Sequence, residues 1–266
     1  KKGSKLSGDP IDQWIRAEFN TVLEKFEGHL ENSRFDLASQ TLYEFIWEKL
    51  CDWYIEFCKL RLTDASISNS KKNEIKNSLL DILENALKLS HPLVPFISEE
   101  IWQSFKAQFK SKDKSLMIAS FPTKYSKQRI PMEVLNVMSA ISGIRNVRSE
   151  MLISPKKEIT IIVEKNKKTK NTFSKYENIF YGLGKVRNIE MKEKNLPPSA
   201  MFVIEDTKIH IPLEGLIDAK EEVDRNLKNL DKLNKSFVGL NQQLLNKKFL
   251  ENAPSSLISE RKRALR

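Results

Sequence analysis

Few side chains in this sequence have the types and spacings that support catalysis. The three histidines, His29, His91 and His210, lie far apart, and neither H-x-x-x-H nor H-E-x-x-H occurs. Because metal sites need clustered ligands, the sequence predicts no metal site. The glycine patterns that bind phosphate and the G-x-S-x-G pattern of serine hydrolases are also missing. The sequence therefore offers no catalytic residues and no cofactor site.

The two cysteines indicate structure rather than redox chemistry. Cys51 and Cys58 are seven residues apart in a stretch with helical apolar spacing. Two cysteines are too few for a disulfide scaffold or a four-cysteine zinc site. We expect both to be buried free thiols.

Positive charge is concentrated in the second half of the chain. The net charge is +10, yet residues 1–125 contain 18 Lys and Arg against 18 Asp and Glu, while residues 126–266 contain 27 against 17. Such an imbalance favours contact with a polyanion such as nucleic acid. The alternative is a genomic base composition that enriches lysine without any function.

Two sets of basic residues have spacings suited to phosphate contact. Arg145 and Arg148 are three residues apart, on one face of a predicted helix, with ion pairing to Glu150 as the alternative. The second set repeats every three or four residues and continues to a predicted helix tip: Arg225, Lys228, Lys232, Lys235, Lys247 and Lys248. It fits the sugar–phosphate backbone of RNA. The alternative is a solvated flank with intrahelical pairs to Glu221, Asp224 and Asp231.

Apolar periodicity predicts four helices in the neutral half. Spacings of three and four residues place them at 11–30, 32–62, 73–89 and 98–109, the first capped by Asp9 and Pro10 and the last by Ser98. Short connections between helices favour a bundle, which we assign to residues 1–125. The stretch 110–130 is a polar link.

The spacing of the apolar residues changes after this link. A helix at 131–151 precedes strands at 158–163, 185–191, 200–206 and 207–215, with a short helix at 173–183. These elements predict a small α+β module over 126–215.

The last segment has the spacing of a coiled coil. From Leu216 to Leu244, positions step alternately by four and three, with Lys220, Asn234 and Asn241 as polar members. A return helix over 249–266 completes an antiparallel coiled-coil hairpin, assigned to 216–266 and expected to be truncated. Apolar runs stay short of the ~18 residues of a membrane helix, so we expect no membrane contact. The first ten residues lack the apolar core of a signal peptide. The chain also begins without Met, so we expect it to be a piece of a longer protein.

Several motifs resemble one family. Phe35–Ala38, Leu42–Trp47 and Cys51–Glu56 resemble the anticodon-binding bundle of valyl-tRNA synthetases. The motif His91–Trp102 is shared more widely among class I synthetases for branched aliphatic amino acids. Further matches are Ile144–Met151, Pro212–Asp218 and Lys248–Pro254, in the order of that family's C-terminal part. The resemblance implies a mostly α fold with an anticodon-binding helical bundle, a small α+β module and an antiparallel coiled-coil hairpin.

The resemblance also implies a role. It identifies the chain as the C-terminal part of a valine–tRNA ligase, cytoplasmic and monomeric, that binds tRNA(Val) and has no obligate protein partner. ATP would bind a catalytic domain that this sequence lacks, as it lacks the editing domain. Lys232–Ser236 resembles the K-M-S-K-S catalytic loop, but it lies within the heptad pattern and H-x-G-H is missing.

Two further residues are candidates for reading the anticodon. Arg34 and Phe35 lie at the start of the predicted second helix, at an end of the bundle that could face an RNA loop. Valine anticodons end in A-C, and aromatic or arginine faces suit stacking on splayed bases. The alternative is that Phe35 is a hydrophobic staple and Arg34 is solvated. For the whole chain, the alternative is a helical protein-interaction module without tRNA specificity.

Overall fold

A computed structural model describes residues 5–126, 129–164, 167–192, 196–216 and 219–245, together with Pro254, Arg261 and Arg263. Helices dominate these residues, and a single small sheet accompanies them within the described ranges. This confirms the predicted mostly α fold with an α+β module. The predicted return helix at 249–266 lies outside the continuous described ranges.

The first helix, α1, spans Pro10–Glu31 and begins as predicted. The Asp9 carboxylate accepts a hydrogen bond of 2.9 Å from the Ile11 amide, and Pro10 is the first helical residue. Proline suits this position because the first amides of a helix have no partner within it. Trp14, Phe19 and Phe26 are fully buried on the inner face.

The second helix is continuous but has three parts. These are α2 (Phe35–Glu44), a π-helical segment (Phe45–Ile55) and α3 (Glu56–Thr63). The predicted start at residue 32 is wrong because Asn32 caps α1 and Ser33 has a positive φ of 56°. A left-handed residue ends one helix before the next begins.

Two more helices complete the bundle. α4 spans Asn69–Ser90, capped by Ser68, and α5 spans Pro95–Phe109. The predicted cap at Ser98 is wrong because Pro95 already supplies the first helical position. The Ser98 hydroxyl donates instead to the Val94 carbonyl at 2.8 Å.

A buried ion pair joins α1 to the second helix. The Asp12 carboxylate is fully buried; it accepts from the Tyr54 hydroxyl and from the Arg61 guanidinium, each at 2.6 Å. A buried carboxylate needs such partners to offset its lost hydration. The aromatic pairs Trp14–Phe57 and Phe19–Phe45 also join α1 to the second helix, with ring centroids 6.3 and 5.7 Å apart.

The link after the bundle is anchored by Tyr125. Its amide donates to the Asn20 side chain at 2.8 Å on α1, and its hydroxyl donates to Asp81 at 2.6 Å on α4. A short 3₁₀ turn at Leu116–Ile118 precedes it. The link is therefore held to two helices of the bundle by the backbone and the side chain of one residue.

The α+β module has one more helix than predicted. α6 spans Met132–Glu150, and the sheet contains β1 (Ile159–Glu164), β2 (Val186–Lys192), β3 (Ser199–Ile204) and β4 (Thr207–Pro212), in the order β2-β1-β4-β3. The predicted helix at 173–183 is two helices, α7 (Lys167–Lys175) and α8 (Glu177–Gly184). They form the crossover that the parallel pair β1–β2 requires. β3 and β4 form the predicted hairpin.

The last described helix, α9, spans Ala219–Leu245, as the heptad spacing predicted. The chain divides into two compact units, Lys1–Val147 with Pro155–Pro212, and Arg148–Ser154 with Leu213–Arg266. Heptad residues of α9 are more than half exposed: Val223, Leu227, Leu230 and Phe237. The domain boundaries at 125/126 and 215/216 stay predictions.

Candidate nucleic-acid interface

Arg34 lies exposed at the turn between α1 and α2. Its Nε and Nη2 donate to the two carboxylate oxygens of Asp36, at 2.9 and 2.7 Å. The hydrogen bond from Arg34 lowers the pKa of Asp36 to about 2. Because both groups are ionised at neutral pH, the two-point contact fixes the plane of the guanidinium group.

Phe35 is the first residue of α2 and is 58% exposed. A hydrophobic staple precedes the capping residue, whereas Phe35 follows it, so the staple interpretation is wrong. The Ser39 hydroxyl donates to the Phe35 carbonyl at 2.7 Å. An exposed ring on an ordered backbone is suited to stacking on a base.

Sequence reasoning missed a second exposed aromatic residue, Phe96, which is 91% exposed in the first turn of α5. The start of α5 lies beside the first turns of α2, because one cleft is lined by Ser39 and by Val94, the residue before α5. The turn from α4 to α5 is therefore at the same end of the bundle as the start of α2. The sequence signal that could have identified Phe96 is Pro95. Proline favours the first position of a helix, so Phe96 falls in the first turn of α5, at the exposed end of that helix.

Side-chain hydrogen bonds stabilise this turn. The Ser98 hydroxyl donates to the Val94 carbonyl, and His91 Nδ1 lies within hydrogen-bond distance of the Ser98 oxygen, at 2.9 Å. The Glu99 carboxylate accepts from the Leu116 amide at 2.8 Å. These contacts hold the backbone that carries Phe96.

The structure does not bring Arg145 and Arg148 together as an exposed pair. Arg145 is exposed, with its guanidinium carbon 5.2 Å from the centroid of the Trp53 ring. Arg148 is buried, and its Nη2 donates to the Ser154 carbonyl at 2.7 Å. Their spacing of three residues spans 300° rather than a full turn, so a partly covered helix can bury one and expose the other. Their contact with RNA stays a prediction.

The basic residues on α9 fit both interpretations, contact with RNA phosphates and a solvated helix flank. Lys228, Lys232 and Lys235 are exposed, and Lys235 pairs with Asp231 at 2.6 Å, one of the intrahelical pairs expected of a solvated flank. Lys228 and Lys232 form no ion pair with the described residues. Arg225 lies in α9, but its side chain is outside the described set, as are Lys247 and Lys248. The segment Lys232–Ser236 lies inside the helix.

Other chemistry finds no support among the described residues. They contain no group of three His, Cys, Asp or Glu side chains that could hold a metal ion. Their helices are all too short or too polar to cross a membrane. Cys58 is a buried free thiol, and burial raises its pKa to about 12, whereas Cys51 is free but only partly buried.

An exposed arginine and two exposed aromatic rings thus share one end of a helical bundle. Residues 12–164 match the family described as the anticodon-binding domain of tRNA ligases. The chain belongs to this family.

Curated relatives of this chain carry the name valine–tRNA ligase. It is 36% identical to that of Francisella tularensis over 252 residues, 93% of this chain. It is also 36% identical to that of Legionella pneumophila over 95% of the chain, and 34% identical to that of Coxiella burnetii over 98%. The chain spans only 27–29% of the length of these three relatives.

Proposed function

We propose that this chain is the tRNA-binding, C-terminal part of a valine–tRNA ligase. It positions tRNA(Val) and helps to read the anticodon while other parts of the enzyme join valine to the tRNA with ATP. No cofactor binds this part, which acts in the cytoplasm as a monomer without an obligate protein partner. Family membership and the valine–tRNA ligase relatives support the assignment.

The observation that carries the proposal is the exposed end of the bundle around Arg34 and Phe35. A single-stranded loop presents unstacked bases, which gain free energy by stacking on aromatic rings and on guanidinium planes. Phe35 presents a ring, and the pair with Asp36 leaves the Arg34 guanidinium face available. The remaining Nη1 group of Arg34 can donate to a base edge.

The basic residues have a different role in this proposal. Arg145, Arg148, Arg225, Lys228, Lys232, Lys235, Lys247 and Lys248 contribute positive charge along the tRNA backbone. Phosphate contacts raise affinity for every tRNA without distinguishing sequences. Discrimination is therefore assigned to the bundle, and salt-sensitive affinity to the basic half.

The test is a titration of the chain with valine tRNA, an anticodon-swapped valine tRNA and an unrelated tRNA. Arg34→Gln and Phe35→Leu should each weaken binding of valine tRNA by about 1–3 kcal/mol and reduce the preference for the native anticodon. Two exposed residues serve as matched controls: Lys124→Gln, which removes a surface pair with Glu24, and Phe121→Leu. Equal binding of native and swapped tRNA by the parent chain would refute anticodon reading.

The exposed apolar seam of α9 favours a second candidate, a protein-interaction module. Val223, Leu227 and Phe237 are each more than half exposed. A partner helix would gain free energy by covering them. Sedimentation separates the two: a monomer that binds tRNA supports the first proposal, and a stable oligomer without RNA affinity supports the second.

A further inference from the structure

Two aromatic side chains on the second helix form an exposed stack. Tyr43 and Trp47 are 63% and 57% exposed, their ring centroids are 6.2 Å apart, and their planes differ by 3°. The other tryptophans differ: Trp14 and Trp102 are fully buried, and Trp53 is covered by Arg145. Parallel rings stiffen one another and present a flat outer surface.

An apolar cleft lies beside this stack. It has a volume of about 340 Å³ and is lined by Leu42, Ile46, Leu93 and Val94 in addition to the two rings. Ser39 and Ser90 also line it. Such a cleft suits a flat, uncharged group with a few polar atoms at its edge, which describes a nucleobase.

The stack continues the surface that begins at Arg34 and Phe35. Phe35, Ser39, Tyr43 and Trp47 follow one another at intervals of four residues, and neighbours at that interval lie on adjoining parts of a helix surface. At about 1.5 Å per residue, Tyr43 is roughly 12 Å and Trp47 roughly 18 Å along the helix from Phe35. A base at Phe35 cannot reach them, but a nucleotide several positions along the same strand can.

The charges around the stack decide the mode of contact. Glu44 and Glu48 flank Trp47 on the exposed surface, and Glu44 accepts from the Gln40 side chain at 2.8 Å. Negative neighbours repel phosphate groups, so the sugar–phosphate backbone must lie away from this surface. Contact is then made by the base, and every base has a face that can stack.

We propose that Tyr43 and Trp47 form a second stacking platform, for a base of the tRNA anticodon loop that lies outside the anticodon triplet. This inference rests on the proposed function and extends it. Phe35 and Arg34 respond to the identity of the triplet, whereas the Tyr43–Trp47 platform contributes affinity without regard to it.

The test compares the parent chain with the double variant Tyr43→Leu/Trp47→Leu. The probes are synthetic anticodon stem-loops with the valine anticodon, with a swapped anticodon, and with an abasic site at each loop position outside the triplet. The double variant should bind the valine and swapped stem-loops about 5- to 30-fold more weakly, by the same factor for both. The factor should be equal at two salt concentrations, because stacking releases few counterions.

The abasic probes identify the contact directly. One abasic position should weaken binding by the parent chain and have no further effect on the double variant. Phe121→Leu, which removes an exposed ring elsewhere, should retain the parent affinity. In the parent, RNA should also shield Trp47 from fluorescence quenching by acrylamide, a measurement that requires no substitution.

The outcomes separate this inference from the proposed function. If the parent chain reads the anticodon through Arg34 and Phe35 while the double variant binds like the parent, the platform is refuted and the proposed function stands. A quenching rate unchanged by RNA refutes the platform in the same way and assigns the exposed rings to protein contact. If the parent chain binds none of the stem-loops and no tRNA, both fail.

Discussion

Arg34 shows how a neighbouring carboxylate can prepare an exposed side chain for binding. Its two hydrogen bonds to Asp36 occupy one edge of the guanidinium group and restrict its rotation. The conformational entropy of this long side chain is therefore already lost in the free protein, so less is lost on binding. What remains available to a ligand is mainly the planar face, which suits a base more than a phosphate.

Asp12 shows the opposite use of a charged residue. It is fully buried between α1 and the second helix, and it is held by Tyr54 and Arg61. Burial, followed by the charge of Asp12, raises the pKa of Tyr54 well above its usual value, so that the hydroxyl remains a donor. The geometry fixes the register between the two helices and offers no catalytic acid.

Arg61→Met should therefore lower the free energy of unfolding by about 3–5 kcal/mol, because it leaves the Asp12 charge buried without its cation. Tyr54→Phe should cost about 1–2 kcal/mol, since Arg61 still pairs with Asp12. Urea denaturation measures both. The control is Lys59→Met, which removes an exposed pair with Glu56 and should have little effect. Equal midpoints for Arg61→Met and Lys59→Met would contradict a structural role for the buried pair.

At the scale of elements, sequence patterns predicted helices and strands that have a repeating apolar spacing. They missed features that depend on local geometry or on neighbouring elements. The stripe in α1 comes from burial on one face, so periodicity reveals it. The π-helical segment Phe45–Ile55 was not predicted because it changes the residues per turn without a distinctive residue. Phe96 was missed because exposure depends on which neighbours fold against it. Phe35 was identified because it lies near the predicted start of the second helix.

The contact between α6 and the sheet depends on one glycine. A Cβ atom at Gly143 would overlap the Phe202 ring of β3, whereas a Cβ at Gly28 in α1 would meet nothing within 4 Å. Both glycines are helical, so they differ in surroundings rather than in backbone. The pair therefore separates packing from helix propensity.

Gly143→Ala should lower the free energy of unfolding by about 1–3 kcal/mol, because the ring of Phe202 must move away from α6. Gly28→Ala should raise it by about 0.5–1 kcal/mol, because alanine loses less backbone entropy in a helix. Chemical denaturation of the two variants measures whether each change lowers or raises the free energy of unfolding. The double variant Gly143→Ala/Phe202→Leu should recover part of the loss, and stabilisation by Gly143→Ala would show that the close approach is not maintained.

At the scale of the whole molecule, charge and aromatic surface are separated along the chain. The bundle end carries exposed Phe35 and Phe96, while the excess of Lys and Arg lies beyond residue 125. Stacking and counterion release respond differently to salt, since only the second depends on displaced ions. An RNA-binding protein with this arrangement should therefore show two separable contributions to its affinity, the first from stacking and the second from counterion release.

The substitution Lys228→Gln/Lys232→Gln/Lys235→Gln isolates the second contribution. All three side chains are exposed on α9, so their replacement should leave the fold unchanged. Each phosphate contact adds up to about 0.9 to the slope of log affinity against log salt, so the triple variant should lose up to roughly 3 from it. Lys235 should contribute least, because Asp231 already neutralises part of its charge. Binding should weaken alike for native, anticodon-swapped and unrelated tRNA.

The matched control Lys106→Gln/Lys110→Gln/Lys114→Gln removes the same charge from the bundle half and should keep the slope. Equal slopes for all three proteins would place the phosphate contacts elsewhere, and a selective loss for valine tRNA would make α9 a reader of sequence.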